Sequence, residues 1–499
     1  MGYVLGLDLG TSALKGLLVN QKGERVQAVS VSYPLIQSQS NYSEQNPLDW
    51  IIACEQVLQQ LMDTVADFEQ ELQGISVSGQ MHGLVVLDKQ GKVLRPAILW
   101  NDTRTTHECQ IIEEKLGEEL IDITKNKALE GFTLPKIVWV QQHEPEIWQQ
   151  VRYILLPKDY LNYWLTGHIV TEWTDASGTL LVDLEKLDWS STILEQFQIS
   201  KELLPKIYQS MDRIGNVQEE IAVKFKFRQK VQVFAGGADN ACAAVGAGIL
   251  SSERGLLSIG TSGVILAYID QIGCHHQGAF HLFKHCQPEA YYAMGVTLSA
   301  GYSLNWIKTL VAPDTPYEEL LQAVEHIEVG AERLLFAPYI MGERTPYADS
   351  MIRGAFIGLD ARHTSQHLIR SVMEGVVFSL NDCKQLVEQK MSTPLNSLVS
   401  VGGGAKSKVW LQIQADILNV PIYTLSVEEG PGMGAAILAA VGLDWFDSLG
   451  ECWQKWVQYD EVIYPKSENV EKYQKLYEIY QLIYNSVREL NQQLNNYGK

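Results

Sequence analysis

The first residues of the chain alternate between apolar runs and a polar turn. Residues 4–9 are largely apolar, the triplet Gly10-Thr11-Ser12 interrupts them, and residues 13–19 resume the apolar pattern. Short apolar runs bounded by turn residues are typical of β-strands. We therefore expect a β-hairpin whose tip carries one glycine and two hydroxyl groups.

The pattern then changes to helical spacing. Residues 47–68 carry apolar side chains three and four positions apart, with Asn46 placed to cap a helix and Pro47 in its first turn. Residues 74–77 return to an apolar run, which predicts a strand. Alternation of strands and helices predicts an α/β architecture.

The N-terminal pattern returns half a chain later. The sequence LDLGTSA at residues 7–13 is matched by LSIGTSG at residues 257–263, again between two apolar runs. Because 499 residues exceed the size at which one hydrophobic core stops growing, we interpret the repeat as the duplication of one α/β domain. The two hairpin tips should face each other across a cleft. The copies differ where Asp8 of the first is Ser258 of the second.

The apolar segment 235–250 marks the expected junction between the copies. We predict an N-terminal domain over residues 1–246, a C-terminal domain over residues 247–447 and a helical extension over residues 448–499. From residue 468 onwards, tyrosines and aliphatic residues recur at helical spacing, which predicts a helix packed on the second domain.

Composition and charge exclude several classes of protein. Hydrophobic residues make up 46% and charged residues 20% of the chain, as in ordinary globular proteins. The net charge of −20 opposes binding to nucleic acid or to an anionic membrane, so we expect neither as a partner. No apolar run reaches the roughly 18 residues of a membrane span.

The N-terminus and the cysteines favour a cytoplasmic protein. Asp8 and the lack of a basic leading segment argue against a signal peptide, and the seven cysteines form no CxxC pair, as expected for free thiols. One histidine- and cysteine-rich stretch fits no zinc spacing, and its aromatic pattern at residues 279–285 favours a strand instead of a metal site. That stretch contains Cys274, His275, His276, His281, His285 and Cys286.

Each hairpin tip directs backbone N–H groups and hydroxyls towards one point, which suits phosphate. Either tip alone could equally be a plain turn. Two equivalent tips, with Thr11 and Ser12 on one and Gly260 and Thr261 on the other, could hold the β- and γ-phosphates of one nucleotide. An acidic protein needs such local help to bind a polyanion such as ATP.

Two further glycine-rich segments follow. Gly402-Gly403-Gly404 lies between an apolar run and a predicted helix over residues 409–418, an arrangement that lets a nucleotide approach a helix N-terminus. It is not a Walker A loop, because the glycines of that pattern are missing. We interpret residues 429–436 as a close-packing turn of structural importance.

Two carboxylates have contexts that suggest chemistry, although turn and capping roles are the commonest use of aspartate in such places. Asp8 ends a strand beside the first tip, where Mg²⁺ shared with phosphate would need a carboxylate. Asp239 lies in a glycine-rich turn at the domain junction, among apolar neighbours. It is therefore the better general base.

Two polar segments interrupt apolar strands and could line a substrate pocket. The first, residues 78–83, contains Met81 and His82, and such a histidine can donate to a sugar hydroxyl. A buried structural histidine is the alternative interpretation. The second, residues 100–104, contains Trp100 and Asp102.

These motifs resemble those of the FGGY carbohydrate kinases, within the actin/hexokinase-like ATPase superfamily. Residues 131–143 and 354–374 match two family patterns, and the resemblance covers residues 3–447. It implies two duplicated actin-like (ribonuclease H-like) domains with a cleft between them. Residues 79–83, 100–102 and 236–240 are most similar to family members that phosphorylate D-xylulose at O5, in xylose catabolism feeding the pentose phosphate pathway.

The resemblance also implies roles for individual residues, with ATP and Mg²⁺ as cofactors. Asp239 matches the proton acceptor, and Asp8 matches a second essential aspartate near Mg²⁺ and the γ-phosphate. Met81 and His82 match the sugar-binding pair, and Asn240 lies beside the base. The implied nucleotide-binding residues are Thr11, Ser12 and Lys15 at the first tip, Gly260 and Thr261 at the second, and Gly403 and Gly404 in the adenosine segment.

Two alternatives stay open at this point. A kinase of the same family could act on gluconate, ribulose or glycerol, although Met81 and His82 favour xylulose. A non-catalytic, chaperone-like actin-fold ATPase would share the first tip but lack the Asp239 turn and the Met81-His82 segment. The sequence leaves the oligomeric state open, a homodimer included, and it predicts closure of the halves about residues 246–253.

Overall fold

Two large β-sheets organise the chain in the computed structural model, which describes residues 2–272, 277–391 and 394–497. Elements are numbered in chain order. The strands of the first half are β1 (Tyr3–Leu9), β2 (Ala13–Asn20), β3 (Arg25–Ser32), β4 (Glu44–Gln45), β5 (Leu72–Gly79), β6 (Val85–Leu87), β7 (Ala97–Ile98), β8 (Tyr153–Leu155), β9 (Val170–Glu172), β10 (Val182–Asp183), β11 (Asp188–Trp189), β12 (Lys206–Tyr208), β13 (Arg213–Asn216) and β14 (Gln232–Ala238).

The helices of the first half are α1 (Pro47–Thr64), α2 (Phe68–Glu71), α3 (Thr106–Leu116), α4 (Glu118–Thr124), α5 (Thr133–His143), α6 (Pro145–Trp148), α7 (Pro157–Thr166), α8 (Trp173–Ala176), α9 (Ser191–Gln196), α10 (Glu219–Lys224) and α11 (Asp239–Gly246). Short 3₁₀ turns span Ser177–Thr179 and Lys201–Leu203 in this half, and Ala331–Arg333 and Gly403–Lys406 in the second.

The strands of the second half are β15 (Gly255–Ile259), β16 (Gly263–Ile269), β17 (His281–Lys284), β18 (Tyr291–Thr297), β19 (Leu335–Ala337), β20 (Ala355–Ile357), β21 (Leu398–Gly402), β22 (Ile422–Leu425) and β23 (Tyr459–Ile463). Its helices are α12 (Gly301–Val311), α13 (Tyr317–Glu325), α14 (Ser365–Met391), α15 (Lys408–Leu418), α16 (Pro431–Gly442), α17 (Leu449–Trp456), α18 (Ser467–Tyr480) and α19 (Ile483–Asn496).

The two sheets share one order over six strands, and the second sheet has β17 as an additional edge strand. The first has the order β13-β14-β5-β1-β2-β3, in which β1 pairs antiparallel with β2 and parallel with β5. The second has the order β17-β18-β16-β15-β21-β22-β23, in which β15 pairs antiparallel with β16 and parallel with β21. The prediction of a duplicated α/β domain, each copy opening on a hairpin, is therefore confirmed.

Local signals in the sequence explain several element boundaries. The Asn46 side chain accepts a hydrogen bond from the Leu48 N–H and caps α1 as predicted. The helix ends at Thr64, four residues before the predicted limit, because Val65 has an extended backbone. Ser407 caps α15 in the same way, so the helix predicted after Gly402-Gly403-Gly404 is confirmed.

The glycine-rich segment at residues 429–436 was expected to be a turn, and this prediction is wrong from Pro431 onwards, where α16 begins directly after a turn at Gly430. The structural role was correctly identified, since a Cβ at Gly6 would collide with the Gly432 carbonyl, and one at Gly434 with the Cys242 carbonyl. The helix α16 therefore packs tightly on β1 and α11 of the first half, although it belongs to the second half in sequence.

The C-terminal helix predicted to pack on the second domain is present as two segments, α18 and α19. Tyr473 donates to Glu374 and Tyr477 to Asp382, each at 2.6 Å, and both carboxylates lie on α14. In the described part of the chain, no helix is long and apolar enough to span a membrane, and no cluster of three or more ligands could hold a metal. The strand predicted at residues 279–285 of the histidine- and cysteine-rich stretch is present as β17. Three other residues of that stretch, Cys274, His275 and His276, lie outside the described residues.

Candidate active site

Asp8 lies at the centre of the first sheet. In the β1 register it is opposite Lys15 on β2 and Ser78 on β5, near the carboxyl end of the strand. Burial raises the pKa of Asp8 to about 6, and the charge of Lys15 and the Ser78 hydroxyl oppose this shift. A carboxylate desolvated in this way is a good partner for a cation.

Asp239 begins α11 directly after β14, which is separated from β1 by β5 in the same sheet. The turn predicted around Asp239 is wrong, because residues 236–238 belong to β14, whose pairing with β5 shifts register between Phe234 and Gly237. This irregularity needs glycine at Gly236, since φ is +80° there and a Cβ would collide with the Val77 carbonyl. Asn240 donates to Asp239 Oδ1 from its backbone N–H at 2.7 Å and from Nδ2 at 3.0 Å. Desolvation and the charge of Asp8 raise the pKa of Asp239 to about 7. A carboxyl with this pKa can exchange a proton near neutral pH.

A fully buried charged network lies beside the end of β14 that carries Asp239. The Ala238 N–H donates to Thr174 Oγ1 at 2.7 Å. Next to this contact, Lys158 Nζ lies 2.8 Å from Asp159 and 3.4 Å from Asp175. Burial raises the pKa of Asp175 well above its usual value, against the charge of Lys158. This network was not predicted from the sequence, where its signal is the Lys158-Asp159 pair directly after a buried apolar run.

His82 adopts a left-handed backbone, with φ of 67°. Its Nδ1 lies 2.6 Å from the Gly178 carbonyl oxygen, so Nδ1 carries the proton and donates. Burial, assisted by the charge of Lys136, lowers the pKa of His82 to about 3 and keeps the ring neutral. The expectation that His82 donates to a sugar hydroxyl is therefore wrong, because the nitrogen left for a ligand, Nε2, is an acceptor.

The backbone and ring of His82 are held from several sides. Its carbonyl accepts from Thr133 Oγ1 at 3.0 Å and from Lys136 Nζ at 3.3 Å. Lys136 is fully buried and also donates to the carbonyls of Gly131 and Phe132. Ring centroids of Phe132 and Phe283 lie 4.6 and 5.7 Å from that of His82. Thus the 131–143 segment fixes the position of the histidine.

Met81 contacts both the residue beside the predicted base and a residue of the second half of the chain. Its sulfur lies 3.7 Å from Asn240 Nδ2 and 3.8 Å from the Tyr292 hydroxyl. Tyr292 is fully buried on β18, and the sequence analysis did not identify it. Only the packing of the two halves brings it here, since nothing local in β18 indicates a ligand site.

Trp100 and Asp102 have different environments. Trp100 Nε1 donates to Thr11 Oγ1 at 2.9 Å, which places the indole against the first tip. Asp102 is fully buried, and it accepts from the Ser43 N–H at 2.6 Å and from Arg104 Nη2 at 2.7 Å. The expectation that Asp102 lines the pocket is therefore wrong, because its oxygens are occupied within the protein.

A cleft of about 1470 Å³ in the second half brings together four of the predicted nucleotide-binding residues, Gly260, Thr261, Gly403 and Gly404. The backbone of Gly402, with φ of +84°, lets this loop pass close to the Ile259 carbonyl. The cleft is also lined by residues that the sequence analysis missed, including Tyr302, Asn305, Lys406 and Asp416.

The first tip does not contribute to this cleft, whose described lining comes entirely from residues 259–472. Ser12 and Lys15 are exposed, while the Thr11 carbonyl accepts from Gln45 Nε2 at 2.6 Å. Each half thus presents its own glycine-hydroxyl tip. A ligand that bridges both would have to span the space between the halves.

Known proteins match the chain along its whole length. Residues 3–246 match the FGGY family of carbohydrate kinases, N-terminal domain, and residues 255–443 match the C-terminal domain. A xylulose kinase from Bacillus subtilis (strain 168) is 49% identical over 499 residues, covering 100% of each chain. One from Lactococcus lactis subsp. lactis (strain IL1403) is 50% identical over 495 residues, covering 99% of each. The crystal structure of ligand-bound xylulose kinase from Lactobacillus acidophilus has a TM-score of 0.94 at 28% identity, covering 99% of this chain and 100% of that one.

Proposed function

Because the chain belongs to the FGGY family of carbohydrate kinases, we propose that it transfers the γ-phosphoryl group of ATP to O5 of D-xylulose. The products are D-xylulose 5-phosphate and ADP. One observation carries the proposal: Asp239, whose pKa is raised to about 7, lies beside Asn240, which contacts Met81 of the sugar-binding pair. A proton acceptor and a sugar site thereby lie side by side in the first half of the chain.

In this mechanism Asp239 accepts the proton of the 5-hydroxyl as O5 attacks the γ-phosphorus. The new bond joins O5 to phosphorus, and the bond between that phosphorus and the β–γ bridging oxygen breaks. Phosphoryl transfer depends mainly on positioning and charge stabilisation. The His82 Nε2 acceptor and the Asn240 amide are suited to orienting the sugar hydroxyls for this attack.

The residues present fit Mg²⁺ as the metal. Asp8 offers hard oxygen ligands, its carboxyl is desolvated, and the charge of Asp8 disfavours ionisation of Asp239. A cation here would relieve this repulsion, and Mg²⁺ is typically held by one or two carboxylates together with phosphate oxygens. When bound, Mg²⁺ would neutralise charge on the transferring phosphoryl group.

The nucleotide would occupy the cleft of the second half, with adenosine beside Gly403 and Gly404 and the phosphates at Gly260 and Thr261. The first tip, with Thr11, Ser12 and Lys15, would meet the γ-phosphate when the halves close.

We propose domains over residues 1–246 and 247–447, an extension over residues 448–499, and a hinge at residues 246–253. Gly248 has φ of +76° in this segment, a backbone conformation that glycine adopts without strain.

The non-catalytic ATPase alternative does not account for Asp239 at the start of α11 or for the buried contacts of Met81 and His82. The net charge of −20 supports the absence of nucleic acid as a partner, and the free cysteines of the described residues support a cytoplasmic enzyme. A homodimer is compatible with the proposal, and light scattering after size-exclusion chromatography would determine the oligomeric state.

The direct experiment measures ADP release with MgATP and a panel of D-xylulose, D-ribulose, gluconate, glycerol and water. We expect the highest kcat/KM with D-xylulose, and ³¹P–¹³C coupling in the product should place the phosphate on C5. Preference for another acceptor would contradict the substrate assignment. ADP release unaffected by any sugar would favour the plain ATPase. Asp239→Asn serves as the matched inactive control.

A further inference from the structure

The second half of the chain forms one wall of the sugar site. Phe283 of β17 packs beside the His82 ring, and the Tyr292 hydroxyl of β18 lies 3.8 Å from the sulfur of Met81. The sheet edge formed by β17 and β18 therefore faces the residues that we assign to the sugar. A polar group carried to this place by the second half is a candidate to contact substrate.

A well-anchored turn beside the end of β18 carries such a group, Arg344. On one side, the Glu343 carboxylate accepts from Thr297 Oγ1 at 2.7 Å and from the Arg344 N–H at 2.8 Å. On the other side, the Thr345 N–H donates to the Val296 carbonyl at 3.0 Å, and Thr345 Oγ1 accepts from the Val296 N–H at 3.2 Å. Both neighbours of Arg344 are thus tied to the strand that faces the sugar site.

The charge of Arg344 acts across the boundary between the halves, on His82 and Glu130 of the first half. Within the described residues, its guanidinium has neither a hydrogen bond nor an ion pair, whereas that of Arg104 is paired with Asp102. Burial lowers the pKa of Arg344, and the charges of Glu130 and Glu343 oppose this shift without forming an ion pair with the guanidinium. A guanidinium has five donors and is seldom left without acceptors inside a protein.

We propose that Arg344 completes the sugar site from the second half by donating to the oxygens on C1 and C2 of the ketose. The inference rests on the function proposed above. O5 must reach Asp239, whose carboxylate accepts from Asn240 Nδ2 at 3.0 Å, whereas the charge of Arg344 acts on His82. The C1 hydroxyl and the C2 carbonyl lie at the opposite end of the sugar, and two adjacent oxygens match the fork of a guanidinium.

This assignment also gives the sugar a reason to bring the halves together. A ketose held between His82 of the first half and Arg344 of the second is bonded to both at once. Binding energy from the end of the sugar that does not react would then favour the closed arrangement in which phosphate and O5 meet.

The test compares full-length wild type with Arg344→Met, which keeps the aliphatic stem, and Arg344→Lys, which keeps the charge but not the fork. Acceptors are D-xylulose and 1-deoxy-D-xylulose, which lacks the C1 hydroxyl. We expect the KM for D-xylulose to rise about 10–100-fold in Arg344→Met and by a smaller factor in Arg344→Lys, with the KM for ATP unchanged. The wild type should prefer D-xylulose over the deoxy sugar, measured as the ratio of the two kcat/KM values. In Arg344→Met this ratio should fall towards one.

Arg353→Met is the matched control. Arg353 follows in the same connection between β19 and β20, and its guanidinium donates to the carbonyls of Ser350 and Ile352. This variant should retain wild-type kinetics. If circular dichroism shows that Arg344→Met does not fold, the selectivity ratio of Arg344→Lys decides the question.

Three outcomes would overturn the proposal: an unchanged KM for D-xylulose, an equal loss on both sugars, or a rise in the KM for ATP in place of that for sugar. The last would assign Arg344 to the phosphates. Failure of the proposed function is distinguishable from all of these, because the wild type itself would then not phosphorylate D-xylulose.

Discussion

Nδ1 of His82 lies 2.6 Å from the carbonyl oxygen of Gly178, and this contact determines which side of the imidazole meets a ligand. A carbonyl only accepts, so the proton stays on Nδ1 and Nε2 is left as an acceptor. Burial lowers the pKa of His82 to about 3, so the ring is neutral throughout the physiological range. His82 therefore binds by accepting a hydrogen bond and does not act as a proton donor.

His82→Ala should raise the KM for D-xylulose roughly tenfold, since loss of one hydrogen bond costs about 0.5–1.5 kcal/mol plus the desolvation of its partner. The KM for ATP should change little. Gly178→Ala offers an independent route to the same defect, because its Cβ would lie 2.9 Å from His82 Nδ1 and 3.1 Å from the terminal methyl of Met81. Steady-state kinetics test both variants, and a rise in the ATP constant instead would place His82 near the nucleotide.

Asp239→Asn should lower kcat by about 10²–10⁴-fold, the usual loss when a general base is removed. Asparagine preserves the shape of the side chain but cannot accept the hydroxyl proton. Nucleotide binding should persist, which isothermal titration with MgADP can verify. Wild-type turnover in this variant would remove Asp239 from the role of base.

The pH dependence of kcat/KM should show an acid limb governed by Asp239. Its pKa of about 7 means that the base is protonated, and inactive, below neutrality. Activity should therefore fall about tenfold per pH unit below that value, and more steeply where Asp8, with a pKa of about 6, also takes up a proton. Rates between pH 5.5 and 9 test this, and a flat profile would contradict the shifted pKa.

Ionisation of Asp239, which activates the enzyme as the pH rises, should lower the stability of the folded protein. Its folded pKa is raised above the ordinary value of 3.8, so the folded state binds its proton more tightly than the unfolded chain. The cost to stability is absent below about pH 4, grows as the pH rises and is complete above about pH 7. Asp239→Asn should thus raise Tm at pH 8 and not at pH 4, as measured by calorimetry. An equal Tm at pH 8 would argue against desolvation of this carboxyl.

Asp8→Asn should impair transfer to every acceptor, water included, because we assign Asp8 to the metal and the phosphate and not to the sugar. A change in the Mg²⁺ concentration needed for half-maximal rate should accompany the loss. The check is to measure ADP release with and without D-xylulose across a Mg²⁺ titration. A defect confined to the sugar reaction would instead place Asp8 in the sugar pocket.

Binding of D-xylulose should close the two halves about residues 246–253. Sugar contacts on both halves favour closure, and closure excludes water from the phosphoryl group. Small-angle scattering should show a smaller radius of gyration with D-xylulose, and hydrogen exchange around Asp239 should slow. Arg344→Met should close less. An unchanged radius and unchanged exchange in the wild type would support a preformed rigid cleft.

Sequence alone identified the parts of this protein whose cause is local. Apolar runs and turn residues predicted both hairpins, and the repeat of the Gly-Thr-Ser tip revealed the duplication. The cap at Asn46 and the helix after Gly404 followed from short-range hydrogen-bonding rules. Asp8 stood out because it ends an apolar strand beside a glycine-hydroxyl tip, and Asp239 because it follows two glycines among apolar neighbours.

Tertiary structure decided whatever depends on residues far apart in the chain. The proton position on His82 follows from Gly178, and an oxygen of Asp102 is occupied by the distant Ser43 N–H. The contacts that β17 and β18 make with His82 and Met81 also depend on the tertiary structure. In the sequence these two strands have only the apolar pattern of core strands. A sequence pattern records whether a side chain is buried, but its hydrogen-bonding partner and the cost of desolvating it are properties of the assembled fold.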